Sequence, residues 1–171
     1  NKLYKSFAGN ASNYAEKWRM NDEGRIRETI ASFIGAPAAN VAMVPNFSWA
    51  MNGMVQSLKG TEKVLLYKKD YPSLVEPFVI NKFDITWIDS KDGFLIDINE
   101  LESLIKRNGI NLLVISHVQW SSGFKLDIDA VGKLCRQHGV IFILDATQST
   151  GAIPIDISGL NIDVFISSNY K

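Results

Sequence analysis

The chain has 171 residues, 46% hydrophobic and 21% charged, which is enough for one domain with a real core. Eighteen Lys and Arg balance eighteen Asp and Glu, so no electrostatic case exists for nucleic acid or an anionic membrane as partner. One cysteine, Cys135, excludes an intrachain disulfide framework, no apolar run approaches ~18 residues, and no secretory signal pattern opens the chain, so a cytoplasmic location without a membrane span is expected.

The spacing of Trp18, Ile26, Ile30 and Ile34 predicts a helix over Ala15 to Ile34, closed by Gly35 and Pro37. "VAMV" at 41–44 reads as a strand, and Pro45, Asn46, Phe47 and Ser48 follow it. A short helix from Trp49 to Leu58 ends at Gly60. "KVLLY" (63–67) is a strand that hands over Lys68 to Tyr71, and Pro72-Ser73 begins a helix to Ile80. "DITWI" (84–88) is the next strand, followed by a helix from Ile98 to Ile105 that stops at "RNG". "LLVIS" (112–116) hands over a loop from His117 to Gly123 that contains Trp120. Asp127 to Gln137 forms a helix with Asp127 or Asp129 as cap and "HG" as its stop. "VIFIL" (140–144) delivers Asp145 and Gln148, and "DVFIS" (163–167) delivers Ser168, Asn169, Tyr170 and Lys171.

Alternating strands and helices, with strands apolar throughout, predict an α/β fold: a three-layer sandwich around a mainly parallel sheet, with right-handed crossovers. Ligands in such folds bind at the carboxyl ends of the strands. Polar and aromatic residues collect there. No G-x-G-x-x-G and no G-x-x-x-x-G-K-[ST] occurs, which argues against a Rossmann dehydrogenase and a P-loop NTPase. With only His117 and His138, no Cys/His cluster and no G-x-S-x-G, neither a metal site nor a serine nucleophile is expected. A pyridoxal phosphate site suits these strand ends. It needs a lysine amine, a carboxylate beside the pyridinium nitrogen, a cradle for the phosphate and a flat partner for the ring.

Each candidate also has a plainer reading. Asp145 and Asp156 suit turns or caps, and Lys171 alone would be a surface lysine. Ser48 is placed to cap a helix, and Tyr71 and Trp120 suit simple packing. Cys135 lies on the apolar side of its helix and reads as a small core residue, and His117 as a residue that orients its loop.

The stretch "SHVQWSSGFKLDIDAVGKLCRQHGVIFILDATQSTGAIPIDISGLNIDVFISSNYK" resembles the class V aminotransferase family, which includes cysteine desulfurases, selenocysteine lyases, kynureninases and isopenicillin N epimerases. The family pattern D-x-x-Q-x-x-G-x-x-P-x-D, a strand, then S-x-x-K falls on Asp145, Gln148, Gly151, Pro154, Asp156, Ser168 and Lys171. "VPNFSWAMNGM" and "DYPSLVEPF" extend the likeness back along the chain.

The resemblance implies the large domain of a fold-type-I pyridoxal 5'-phosphate enzyme, a homodimer with its site at the interface, and a small amino acid as substrate. Lys171 falls on the Schiff-base lysine, Asp145 on the partner of the ring nitrogen, and Gln148 on the partner of the ring hydroxyl. Ser168 and Ser48 fall on phosphate-binding hydroxyls, and Phe47 on a phosphate-binding amide. Tyr71 stands where desulfurases stack a histidine on the ring, and Tyr170 where they carry another histidine and kynureninases a tyrosine that reaches the phosphate. Trp120 replaces an asparagine of the desulfurases, which implies a reshaped substrate pocket. Members of the family run about twice this length, so residues 1–171 are expected to be an incomplete large domain, without the small C-terminal domain. Amino transfer, cysteine or selenocysteine lysis, epimerisation and kynureninase-type cleavage share the machinery. A non-catalytic scaffold relative and another α/β enzyme using a sugar nucleotide or dinucleotide stay open.

Overall fold

A computed structural model describes residues 2–168, the Leu3 side chain apart, as two compact units. One comprises the residues up to Met43 with Asp156–Ser158; the other comprises Val44–Ile155 with the residues from Gly159 onward.

The first unit is helical. α1 spans Lys2–Gly9, α2 Ala11–Asn21 and α3 Glu23–Ile34, and a short 3-10 turn spans Ala38–Asn40. The single helix expected from Ala15 to Ile34 is thus two helices meeting at Asp22 (φ −109°, ψ −33°). The turn-to-turn bonding passes through the joint, from Asp22 N to Trp18 O (2.8 Å) and from Ile26 N to Asp22 O (3.0 Å). α2 also starts earlier than its apolar spacing suggests, because Asn10 caps it by accepting from Asn13 N. Gly35 ends α3 in a left-handed conformation (φ 73°), and a side chain there would collide with Asp156. Asp156 Oδ1 accepts from Ser158 N (2.9 Å), and Ile157 N donates to Ile34 O (2.8 Å).

The second unit contains α4 (Phe47–Ser57), β1 (Lys63–Tyr67), α5 (Pro72–Ile80), β2 (Asp84–Ile88), α6 (Ile98–Asn108), β3 (Leu112–Ser116), α7 (Ile128–His138), β4 (Ile141–Asp145) and β5 (Val164–Ile166). The five strands form one sheet of order β2-β1-β3-β4-β5, every described pairing parallel. Four-residue "VAMV" is not a strand. It pairs with no neighbour among the described residues, and an apolar run becomes a strand only where a ladder receives its main chain.

Period-two alternation divides the core. Leu65, Tyr67, Leu113, Ile115, Phe142 and Leu144 pack with Leu101 and Leu104 of α6 and with Val131 and Leu134 of α7. Val64, Leu66, Leu112, Val114 and Ile143 pack on the other side with Met51 and Val55 of α4 and with Leu74 and Phe78 of α5. Right-handed crossovers account for the division. The chain steps one way from β1 to β2 and back the other way to β3 and β4, so α5 must lie on the face opposite α6 and α7.

One approach within this unit is close enough to test. A Cβ on Gly132 of α7 would lie 2.9 Å from the main-chain oxygen of Asn161, which cannot rotate aside. Gly132→Ala should gain ~1 kcal/mol of helix propensity and lose ~1–3 kcal/mol to overpacking. The net expectation is a melting temperature lowered by a few degrees, at ~2–4 °C per kcal/mol. A raised melting temperature would mean that the loop yields.

Candidate functional site

β1 has β2 on one side and β3 on the other, so the order of connection reverses there, and a crevice opens beyond the carboxyl ends of the strands. A cavity of about 460 Å³ occupies it, within the size range of small-molecule sites. Phe47, Ser48, Tyr71, Trp120, Asp145, Gln148 and Ser168 all border this cavity. Seven residues separated by up to 121 positions are thus brought to one place. Tyr170 and Lys171 lie outside the described residues.

One part of the wall is made of helix starts and hydroxyls. Asn46, in extended backbone (φ −166°), caps α4 by accepting from Trp49 N (2.9 Å). The helix geometry leaves the Phe47 and Ser48 N–H groups without intrahelical acceptors. Ser48 Oγ donates to Ser73 Oγ (3.2 Å), which links the first turns of α4 and α5 at the cavity. Ser168 N donates to Thr147 Oγ1 (3.2 Å).

A second part is aromatic. Tyr71 and Trp120 meet edge to face, with ring centres 5.7 Å apart and planes at 84°. They are 42% and 51% exposed, so their rings are available at the cavity rather than sunk in the core. The Trp120 indole donates to the main-chain oxygen of Lys69 (3.1 Å), which locks the ring and uses its one polar atom.

The acidic part is buried. Asp145 ends β4 in register with Ser116 on β3 and Ile166 on β5, and it is 5% exposed. Its Oδ1 accepts from Thr147 N (2.8 Å), and its Oδ2 lies 3.4 Å from Ser116 Oγ. Burial, with a smaller push from the Asp70 charge, holds this carboxyl above its ordinary 3.8 against the hydrogen bonds from Thr147. Asp145 is the one charged group among the described residues that border the cavity.

Four contributors escape a reading by sequence. Ser73, Ser116 and Thr147 border the cavity, and Asp70 stands behind Ser116. Ser116 reads as the last letter of an apolar strand. The available signal is that it and Asp145 are the final residues of adjacent parallel strands. His117 and Cys135 are buried and do not border the cavity. Burial, and secondarily Lys125, favours a neutral His117, whose main chain ties β4 to the loop through Asp145 O (2.9 Å) and Leu126 N (2.8 Å). Burial, aided by the Asp163 charge, pushes the Cys135 thiol up to about 12, so it is no nucleophile.

Residues 1–171 match the family model described as Aminotransferase class-V. The cysteine desulfurase IscS of Histophilus somni (strain 2336) is 29% identical, over 95% of this chain and 43% of its own length. The structure of SspA in complex with cysteine superposes with a TM-score of 0.80 at 25% identity, over 92% of this chain and 47% of that one. A C-DES mutant with glycine covalently linked to its PLP cofactor gives a TM-score of 0.78 over 97% of this chain and 46% of that one; at 17% identity this likeness speaks to the fold, that of the fold-type-I enzymes. The chain spans less than half the length of these relatives.

Proposed function

Because the chain belongs to the class V aminotransferase family, we propose that it carries the cofactor half of an enzyme that uses pyridoxal 5'-phosphate on a small amino acid, as a transferase or lyase. Cysteine is the first substrate to try, since it is what one structural relative holds. The observation that carries this reading is Asp145: a buried acid on a ligand-sized cavity, with no cation beside it among the described residues. A pyridinium N–H supplies the missing positive partner. The hydroxyls and free first-turn amides of α4 suit a phosphate, and the Tyr71–Trp120 wall suits a planar ring.

Once bound, that cofactor draws electrons from the substrate Cα into its protonated ring. The family resemblance assigns the roles of this chain's residues, and the chemistry of each suits its role. Asp145 keeps the proton on the ring nitrogen. Ser48, Ser168 and the Phe47 and Ser48 amides receive the phosphate, and Gln148 hydrogen-bonds the ring hydroxyl. Tyr71 stacks on the ring, and Trp120 fills the space beside it and excludes water. Lys171 supplies the attaching amine and then holds or returns the Cα proton. Tyr170 adds a hydroxyl for the phosphate. Residues 1–171 serve as part of the large domain, within a cytoplasmic homodimer. The family resemblance supports the dimer, and the single buried thiol fits a reducing compartment. No described helix is long and apolar enough to cross a membrane.

The visible absorbance of the full-length protein, with and without added pyridoxal phosphate, tests this. A visible band that borohydride bleaches, and that shifts when cysteine or another small amino acid is added, is expected. A full-length protein that develops no band at any pH contradicts the reading.

A further inference from the structure

Asp70 is 6% exposed and does not border the cavity, yet it is the most heavily hydrogen-bonded acid described. Its Oδ1 accepts from Tyr71 N (2.8 Å) and Ser116 Oγ (2.5 Å), and its Oδ2 from Ser116 N (2.9 Å) and Gln119 Nε2 (3.2 Å). Ser116 has one hydroxyl proton, and the distances commit it to Asp70 rather than to Asp145, 3.4 Å away. Ser116 therefore turns a lone pair toward Asp145 Oδ2. That arrangement repels an ionised carboxylate and welcomes one that carries or shares a proton. No described Lys, Arg or His forms an ion pair with either acid.

We propose that Asp70 is a positioning residue for the cofactor: it orients the Ser116 hydroxyl and keeps a second negative charge behind Asp145, and so sets how firmly Asp145 holds a proton shared with a cationic ring nitrogen. This rests on the pyridoxal phosphate reading and adds a residue to it. The charged group that acts on Asp145 from the packing around it is Asp70, from the turn after β1. Its other polar neighbours are the neutral Ser116 of β3 and Thr147 beyond β4. Removing the Asp70 charge also weakens the acceptor that holds the Ser116 proton, so that proton turns more readily to Asp145. Both changes act in one direction and make Asp145 a weaker base.

The test is Asp70→Asn in the full-length protein, read in two ways. Carboxyl 13C NMR of the cofactor-free protein should show the Asp145 midpoint lower than in wild type. The Kd for pyridoxal phosphate should rise about tenfold, the scale on which outer partners of a binding group act. If Asp70→Asn does not fold, the double variant Asp70→Asn/Gln119→Glu carries the same readouts. It moves the charge to the neighbour that now accepts from position 70, and both shifts should be smaller in the same direction. An unchanged midpoint in whichever variant folds overturns the proposal, even if Kd weakens, because loss of shape alone would weaken Kd. A wild-type protein that takes up no pyridoxal phosphate overturns this proposal together with the reading beneath it, whereas an unchanged midpoint beside normal uptake overturns this one alone.

Discussion

Asp145→Asn should lower turnover by roughly 10²–10³-fold, the scale for removing one preorganised electrostatic partner of a transition state, while the cofactor still attaches through lysine. The substitution keeps the volume of the side chain and the acceptor for Thr147 N, and it removes the negative charge that would hold a proton on the ring nitrogen. The same change should stabilise the cofactor-free protein at neutral pH. Burial holds the Asp145 carboxyl above its ordinary 3.8, so the folded state binds this proton more tightly than the unfolded chain does. Its contribution to stability is therefore present at acid pH and is lost as pH rises from the unfolded value through the raised folded one. Above that window the wild type carries a buried, unpaired charge that the variant lacks. Melting temperatures of the two cofactor-free proteins should converge near pH 4 and diverge above it, with the variant higher. A variant that melts lower than wild type at pH 7 would show that the charge is compensated by a cation, and the case for an incoming pyridinium would fail. Added pyridoxal phosphate should reverse the order, since a ligand bound by the native state alone raises its stability in proportion to occupancy and affinity.

The parts of this molecule that are legible in its sequence are those with a strong local cause. Three strands, Lys63–Tyr67, Asp84–Ile88 and Leu112–Ser116, begin and end where their apolar runs do. The α7 start is equally local: of the two caps the sequence offers, Asp127 and Asp129, it is Asp127 that accepts from Ala130 N (3.1 Å). "VAMV" has the composition of a strand but no partner among the described residues, and composition carries no record of partners. Phe47 and Ser48 follow "VAMV", which is no strand, and are legible through the family resemblance; Tyr71, Trp120, Asp145, Gln148 and Ser168 could be assigned to one place because parallel topology puts strand ends together. Asp70, Ser116 and Ser73 could not. Their importance comes from hydrogen bonds to residues 46, 29 and 25 positions away, set by the sheet register and by the packing of α4 on α5. Trp120 is intermediate: its place at the cavity follows from the loop it occupies, but the locking of its indole by the Lys69 carbonyl is visible only in three dimensions.

Lys171→Ala should have the larger effect on chemistry and the smaller one on cofactor binding. The proposed lysine attaches the cofactor and then moves the Cα proton, so one substitution removes two functions. Loss of the proton transfer alone is worth roughly 10²–10⁴-fold, and loss of attachment adds to it. The wall of helix starts and hydroxyls proposed for the phosphate remains, as does Asp145, so the variant should still bind pyridoxal phosphate, reversibly, with no band that borohydride fixes to the protein. Small primary amines in the buffer should restore part of the proton transfer, because they can occupy the space left by the side chain. No lysine among the described residues borders the cavity. The nearest in sequence to a strand end, Lys68 and Lys69, are exposed and lie within 3.6 and 3.7 Å of Asp89. The amine proposed from the family resemblance is that of Lys171, which follows β5 in the sequence and lies outside the described residues. A Lys171→Ala protein that still holds the cofactor covalently after borohydride would place the reactive amine elsewhere, and mass mapping of the labelled peptide would say where.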